Sequence, residues 1–333
     1  MYQPEAYVPS LLFMLLSMLC WGSWANTLKL CPQYRFQLFY WDYVLGMIGG
    51  ALLWAVTLGS LGSTGASAFA DLAQAGGTAM LFAIAGGIVF NVANLLLVAA
   101  IDIAGLAVAF PIGIGLALVI GAVSNYLVSP NGNPLLLFGG IALVTVAIIL
   151  DAVAYRLRET TRRAMSRRGI IISLVSGVLM GTFYPLVSKA MTGPGALGPY
   201  SALILFSIGV AICSIPANYL LMRSPLDNSP PARMADYFRA KPSWHVAGLL
   251  GGAIWGTGAM ANFVASRVHI VGPAVSYSIG QGATMVSAFW GVFIWKEFAT
   301  APRPAKTALG WMFLLFIAGL LLVALAPIFH SGH

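Results

Sequence analysis

The chain has 333 residues, of which 59% are hydrophobic and 8% are charged, and its formal net charge is +8. A soluble domain carries about 25% charged residues and a disordered chain has low hydrophobicity, so the composition excludes both classes. Six arginines between positions 156 and 168 are typical of a loop beside anionic lipid, so the positive charge indicates membrane lipid as a partner and no nucleic acid.

Ten apolar runs follow one another along the chain, each about as long as a membrane-spanning helix. They cover residues 8–28, 38–59, 77–99, 103–128, 134–155, 170–190, 199–221, 244–265, 273–294 and 307–327. Continuous runs of this length favour helices over the shorter, alternating strands of a membrane barrel. The sequence therefore predicts an all-α integral membrane protein with ten transmembrane helices.

The basic residues are distributed unevenly between the two sides that these runs define. The loops after runs 1, 3, 5, 7 and 9 share one side, which holds 15 of the 17 lysines and arginines; only Lys189 and Arg267 lie on the other side. By the positive-inside rule, both termini face outward and the 156–169 loop is cytoplasmic. We expect a multi-pass protein of the cell inner (plasma) membrane.

The second half of the sequence echoes the first. The matching segments are Gly22-Ser23-Trp24 with Gly181-Thr182-Phe183, Gly86-Gly87 with Gly251-Gly252, and residues 105–115 with residues 272–282. Each half has an odd number of runs, so two similar halves must be inverted relative to each other, which is typical of secondary transporters with a site near the middle of the membrane. We predict two inverted five-helix repeats, 1–155 and 170–333, joined by a basic cytoplasmic linker, 156–169.

Glycines and one proline predict where helices approach closely or loosen. Small residues four apart recur in runs 2 and 8, at Gly46 and Gly50 and at Gly248, Gly252 and Gly256, and this spacing favours close helix contact. Run 4 contains Pro111 before two glycines, and run 9 contains Gly280 and Gly282. Loosened helices expose backbone groups to a binding site.

Polar and aromatic residues inside the runs supply the candidate substrate site. Polar groups are costly in lipid and usually face the interior of a helix bundle. The candidates are Trp24, Asn26, Asn91, Asn94, Tyr184, Trp255, Asn262, Tyr277 and Gln281. Aromatic faces stack on a planar base or a sugar ring, and amides both donate and accept hydrogen bonds, which suits a small neutral polar solute. The alternative for each residue is that it only ties helices together.

Asp42 is the candidate coupling residue, because it begins run 2 between Trp41 and Tyr43. A desolvated carboxyl group can take up a proton at accessible pH, so we expect Asp42 to carry or gate a coupling proton. The alternative is that it anchors the helix by pairing with Lys29 or Arg35. The runs contain no catalytic constellation and no metal-ligand spacing, so we expect neither an enzyme nor a cofactor.

Four short stretches carry a resemblance to known transporters: LCWGSWAN at 19–26, YWDY at 40–43, AIAGGIVFN at 83–91 and AVAFP at 107–111. They resemble the ureide permeases and their bacterial relatives in the drug/metabolite transporter superfamily, and equally the glucose/ribose and rhamnose uptake families. The resemblance implies a secondary active transporter that imports a nucleobase, ureide or similar solute by alternating access. Monosaccharide uptake is the alternative, and export of drugs or metabolites is a further one.

Overall fold

The computed structural model describes residues 1–158, 166–225 and 229–329, and within these ranges all regular structure is helical. The first half forms five helical segments. They are α1 (Tyr7–Ser23), α2 (Phe36–Val56), α3 (Gly77–Ala104), α4 (Leu106–Phe110, Pro111–Gly115 and Leu116–Val128) and α5 (Pro134–Arg158). A 3₁₀ stretch, Trp24–Leu30, extends α1.

The second half repeats this plan. Its segments are α6 (Arg167–Ala190), α7 (Pro199–Arg223), α8 (Pro242–Ser266), α9 (Gly272–Gly280, Ala283–Phe289 and Trp290–Ile294) and α10 (Arg303–Leu325). Three short helices lie in two of the connections: Leu58–Leu61 and Ala68–Gln74 between α2 and α3, and Met234–Phe238 between α7 and α8. Most of the predicted linker, 159–165, lies outside the described residues.

Eight helices in the described ranges, α1 to α7 and α10, are long and apolar enough to cross a membrane. The remaining two segments, α8 and α9, correspond to the apolar runs 244–265 and 273–294. One of them, α8, has 25 residues but contains five glycines, and α9 is divided into three pieces. An all-α integral membrane protein is therefore confirmed, while the count of ten crossings stays a prediction.

Helices α4 and α9 are irregular at corresponding places, as the glycines and Pro111 predicted. Helix α4 begins directly after Gly105, with a φ of 82°, and α9 begins at Gly272, with a φ of 71°, a conformation that residues with a Cβ rarely adopt. In α4 a π turn begins at Pro111, which lacks the N–H that a regular α-helix needs. In α9 the helix is interrupted by a turn at Gln281 and Gly282.

The most extensive helix contacts all join the first half to the second. Helix α3 packs on α6 and α7, α8 packs on α1 and α2, and α5 packs on α10, while α4 contacts α6 and α9 contacts α1. When each helix is replaced by its counterpart in the other half, five places along the chain, every pair becomes another pair of this set or stays the same pair. The pair α3 and α6, for example, becomes α8 and α1. Each half therefore buries its helices mainly against the other half.

Two of these contacts bring backbone directly onto backbone. A Cβ at Gly252 of α8 would overlap the carbonyl oxygen of Tyr43 in α2, and a Cβ at Gly87 of α3 would overlap the carbonyl oxygen of Phe206 in α7. The contact of the small-residue faces of α2 and α8 confirms the prediction made from glycine spacing. Gly87 and Gly252 are also the residues that the internal repeat aligns.

Candidate functional site

Asn262 lies at the centre of a buried hydrogen-bond network between α1, α6, α8 and α9. The Tyr184 hydroxyl donates to Asn262 Oδ1, and Asn262 Nδ2 donates to Ser17 Oγ at 3.1 Å and to the Ser276 carbonyl at 2.9 Å. Ser276 Oγ donates back to the Asn262 carbonyl at 2.9 Å. Tyr184 and Asn262, two of the predicted site residues, are therefore in direct contact, and their hydrogen bonds tie the helices together.

Trp255 forms the middle of an aromatic stack beside this network. Its ring is parallel to that of Phe206, with centroids 5.7 Å apart and planes 9° apart, and it stacks on Trp21 at 5.8 Å. Phe90 lies 4.4 Å from it on a tilted plane. Trp255 is 5% exposed, so it is an internal wall of the bundle and not an anchor at the membrane surface.

Asn91 and Asn94, three residues apart on α3, meet at the hydroxyl group of Tyr40 in α2. Tyr40 donates to Asn91 Oδ1 at 2.8 Å, and Asn94 Nδ2 donates to the Tyr40 oxygen at 3.2 Å. Ser214 of α7 also donates to Asn91 Oδ1, at 3.0 Å. This second cluster joins α2, α3 and α7.

Three buried donors around these groups have no hydrogen-bond partner among the described residues: Trp21 Nε1, the Tyr43 hydroxyl and Asn91 Nδ2. Trp24 packs on Tyr43 with centroids 4.8 Å apart, so this predicted residue also lies at the edge of the group. A buried donor without a partner costs about 1–3 kcal/mol, which makes such groups the natural contacts of a polar solute. The sequence reasoning did not select Trp21 or Tyr43, although both flank candidates that it did select.

Among the other predicted residues, Tyr277 adjoins the Asn262 network, with its ring centroid 5.0 Å from that of Tyr184, whereas Asn26 and Gln281 lie where α1 and α9 are irregular. The Tyr277 hydroxyl donates to the Ala117 carbonyl of α4 at 3.1 Å. Asn26 lies in the 3₁₀ stretch after α1, where its Oδ1 accepts from Trp295 Nε1 at 2.6 Å. Gln281 is half-buried in the turn that interrupts α9, and its side chain has no hydrogen-bond partner in the described part of the chain.

Asp42 is buried at the end of the bundle where α1 finishes and α2 begins, which we call the basic end. Its carboxylate accepts hydrogen bonds from the Tyr34 hydroxyl at 2.8 Å and the Tyr237 hydroxyl at 2.7 Å, and it pairs with His245 Nδ1 at 3.0 Å. Burial and the hydrogen bond to this carboxylate raise the pKa of Tyr34 and that of Tyr237.

The alternative prediction, that Asp42 pairs with Lys29 or Arg35, is wrong, because both of these residues bind other groups. Lys29 pairs with Glu297 at 2.6 Å. Arg35 donates to the Pro230 carbonyl and to Ser229 Oγ. The sequence analysis did not consider His245 for this position, because 203 residues separate it from Asp42 and only the contact of α8 with α2 brings the two together.

Glu297 connects three parts of the basic end. It accepts hydrogen bonds from Lys29, after α1, and from Arg158 Nη1 at 2.9 Å, at the end of α5. Tyr155 also donates to it, at 3.3 Å. Burial alone would raise the pKa of Glu297, but the hydrogen bonds and positive charges of Lys29 and Arg158 outweigh burial and hold it below its usual value. The ion pairs therefore fasten α1 and α5 to the connection after α9.

The opposite end of the bundle, which we call the vestibule end, contains a cavity of about 180 Å³ between the ends of α4, α6 and α8 and the start of α9. Its polar lining residues are Ser129, Asn131, Ser188, Thr192, Ser266, Arg267 and His269. Ser188 Oγ donates at 2.9 Å to Oδ1 of the buried Asn125 in α4, so polar groups continue from the cavity into the bundle. The sequence analysis did not select Asn125, although it is the one Asn or Gln in the sequence of α4.

Comparisons with known proteins agree with this architecture. The family described as "Sugar transport protein" matches residues 12–326. The chain is 25% identical over its whole length to the whole of ureide permease 1 of Arabidopsis thaliana. It is 20% identical, over 83% of its length and 86% of the relative, to the putative ribose uptake protein RbsU of Staphylococcus aureus.

A crystal structure of a protein with 14% sequence identity superposes with a TM-score of 0.64, over 97% of this chain and 99% of that one, which shows that the two share a fold. The relatives in sequence are named permeases and uptake proteins and not enzymes. Together with the apolar helices and the buried polar centre, these matches confirm the resemblance read from the sequence. The chain belongs to the sugar transport protein family, and it is a membrane transporter of small polar solutes.

Proposed function

We propose that the protein imports a small neutral polar solute, a nucleobase, a ureide or a similar compound, by alternating access. The observation that carries this proposal is the group of three unpartnered buried donors, Trp21 Nε1, the Tyr43 hydroxyl and Asn91 Nδ2, beside the aromatic wall at Trp255. Three donors suit a solute rich in carbonyl acceptors, and the parallel rings suit a flat one. The proposed binding residues are these together with the nine predicted from the sequence.

Alternating access requires two packings of nearly equal free energy, and two inverted five-helix halves would supply them. Two features support this. The helix contacts are preserved when each helix is exchanged for its counterpart five places along. In addition, the two ends differ: the Glu297 ion pairs fasten the basic end, whereas polar groups at the vestibule end lead from a cavity into the bundle, from Ser188 to Asn125. The arrangement corresponds to a state closed at the basic end and accessible from the other.

We propose that the basic end is cytoplasmic, in the cell inner membrane, with both termini outside. The distribution of lysines and arginines supports this orientation. A reporter that is active only in the cytoplasm should work when inserted after Arg163 and remain silent when fused after His333, two positions outside the described residues. The reverse result would overturn the orientation.

We further propose that transport is coupled to protons and that Asp42, together with His245, carries the coupling proton. The carboxylate is 2% exposed and touches the imidazole directly. A proton taken up here would change the charge of a contact between α2 and α8, two helices from different halves. This gives a proton a direct effect on the packing of the two halves.

The test is uptake by proteoliposomes that contain the purified protein. Labelled uracil or allantoin should accumulate against its gradient when an inward proton gradient is applied, and ribose should compete weakly. Equal transport of uracil by liposomes without protein would overturn the proposal.

Monosaccharide uptake is the second candidate, because one relative is named a putative ribose uptake protein and because the Trp255 ring could stack on the C–H face of a sugar. Uptake of ribose in preference to both bases and ureides would establish it in place of the first.

A further inference from the structure

A second cavity, of about 400 Å³, lies at the basic end, away from the centre of the bundle. It is formed where the end of α7 meets the segment that leads to the short helix Met234–Phe238. Arg223 and Arg233 lie on its two sides, with Tyr219, Met222 and Met234 as neighbours. The Ala232 backbone N–H donates to the Met222 carbonyl at 2.8 Å, so the segment is held against α7.

The two guanidinium groups of this cavity form no ion pair within the described residues. Arg223 lies over the Tyr219 ring, 4.9 Å from its centroid, and this contact fixes the side chain without neutralising it. Asp236, in the short helix, accepts a hydrogen bond from the backbone N–H of Arg233 at 3.2 Å. Two unneutralised guanidinium groups that face one cavity suit a phosphate group, whose oxygens accept the paired hydrogen bonds that arginine donates.

The short helix beside the cavity has the character of an element that lies in a membrane surface. Met234 and Phe238, at positions i and i+4, are 36% and 76% exposed, and Arg233 and Arg239 flank them. Adjacent exposed apolar residues between arginines are typical of short segments that rest at the boundary between headgroups and acyl chains. This apolar pair favours a phosphate carried by a lipid over a free phosphate ion.

We propose that this cavity binds the phosphate of an anionic phospholipid, with Arg223 and Arg233 as its ligands and with Met234 and Phe238 against the acyl region. The site lies in the cytoplasmic leaflet if the proposed orientation holds, but binding itself depends neither on that orientation nor on the transported solute.

The site has a direct connection to the buried carboxylate at the basic end. Tyr237 belongs to the same short helix, and its hydroxyl donates to Asp42 Oδ1 at 2.7 Å. A lipid that holds the helix in place also holds Tyr237 on Asp42, at the contact between α2 and α8. Transport is therefore expected to depend on anionic lipid.

The experiment measures thermal unfolding of the purified full-length protein in detergent during titration with soluble short-chain lipids. Dihexanoyl phosphatidylglycerol should raise the unfolding temperature, and dihexanoyl phosphatidylcholine should raise it much less, because specific binding stabilises the native state. The double variant Arg223→Gln/Arg233→Gln should bind phosphatidylglycerol ~30-fold more weakly, because it removes both positive charges that face the phosphate.

A matched control is Arg167→Gln/Arg168→Gln, which removes the same charge from exposed positions outside the cavity and should bind like the unmodified protein. The Arg223→Lys/Arg233→Lys variant should recover part of the affinity, and Phe238→Ser should weaken binding of phosphatidylglycerol but not of phosphate. Equal responses to the two lipids, or equal loss in the control, would overturn the proposal. Stabilisation by inorganic phosphate that matches phosphatidylglycerol would overturn the assignment to a lipid.

Discussion

Glu297→Gln should shift the protein towards the state that is open at the basic end. The substitution removes the charge that pairs with Lys29 and Arg158 at 2.6 and 2.9 Å. The Glu297 side chain is 25% exposed, and its partners are 42% and 31% exposed, so both cations can be solvated when the pairs are broken. After allowance for solvent screening, each pair contributes about 1 kcal/mol. The loss of ~2 kcal/mol corresponds to a ~30-fold change in the equilibrium between the two states.

Cys31 is a natural reporter of this shift, because its side chain is fully buried at the basic end. Burial and the nearby charge of Asp42 raise the pKa of the Cys31 thiol, so its reaction with a maleimide is slow while the basic end is closed. In a Cys20→Ser/Cys213→Ser background, a hydrophilic maleimide should label Cys31 of the purified protein in detergent ~30-fold faster in the Glu297→Gln variant. Glu5→Gln, which removes an exposed carboxylate elsewhere, is the control. Unchanged labelling with a lowered unfolding temperature would show that Glu297 is only structural.

The same ion pairs should be insensitive to pH in the neutral range. The pKa of Glu297 is held below its usual value of 4.5, so the folded protein binds this proton less readily than the unfolded chain. The stabilisation is complete above the usual pKa and is lost as the pH falls through the lowered one.

Four further predictions concern the interior. Asn262→Ala removes the centre of the buried network and should lower the free energy of unfolding by ~2–3 kcal/mol in a denaturation experiment. Gln281→Ala should leave the free energy of unfolding unchanged and weaken solute affinity by ~1–2 kcal/mol. Wild-type affinity with lost stability would make Gln281 a structural residue. Asp42→Asn should abolish accumulation driven by a pH gradient while retaining solute exchange, and a variant that still concentrates solute would exclude Asp42 as the coupling site. Gly252→Val should prevent the contact of α8 with the Tyr43 carbonyl and reduce the yield of folded protein, with Gly49→Val, at an open position, as the control in size-exclusion chromatography.

The sequence was sufficient for the helices because their information is local. Apolar runs defined the segments, and glycine spacing correctly indicated faces of α2 and α8 that make close helix contact, although it did not say that they contact each other, and it indicated the loosened helices α4 and α9. Partners far apart in sequence were harder to predict. Asp42 was expected to pair with Lys29 or Arg35, because those residues were near in the chain, but helix packing instead brings it to His245 and Tyr237. The network around Asn262 likewise required knowledge of which faces of four helices meet.

The exchange of helix contacts between the halves has a consequence for biogenesis. When α3 leaves the ribosome, the helices on which it packs most, α6 and α7, have not yet been synthesised, and α1 and α2 must wait for α8. The backbone contacts at Gly87 and Gly252 cannot form until both partners are in the membrane. The first half is therefore a membrane-inserted intermediate that lacks most of its tertiary contacts. Expressed as separate chains, 1–155 and 170–333 should each be degraded alone and persist when made together.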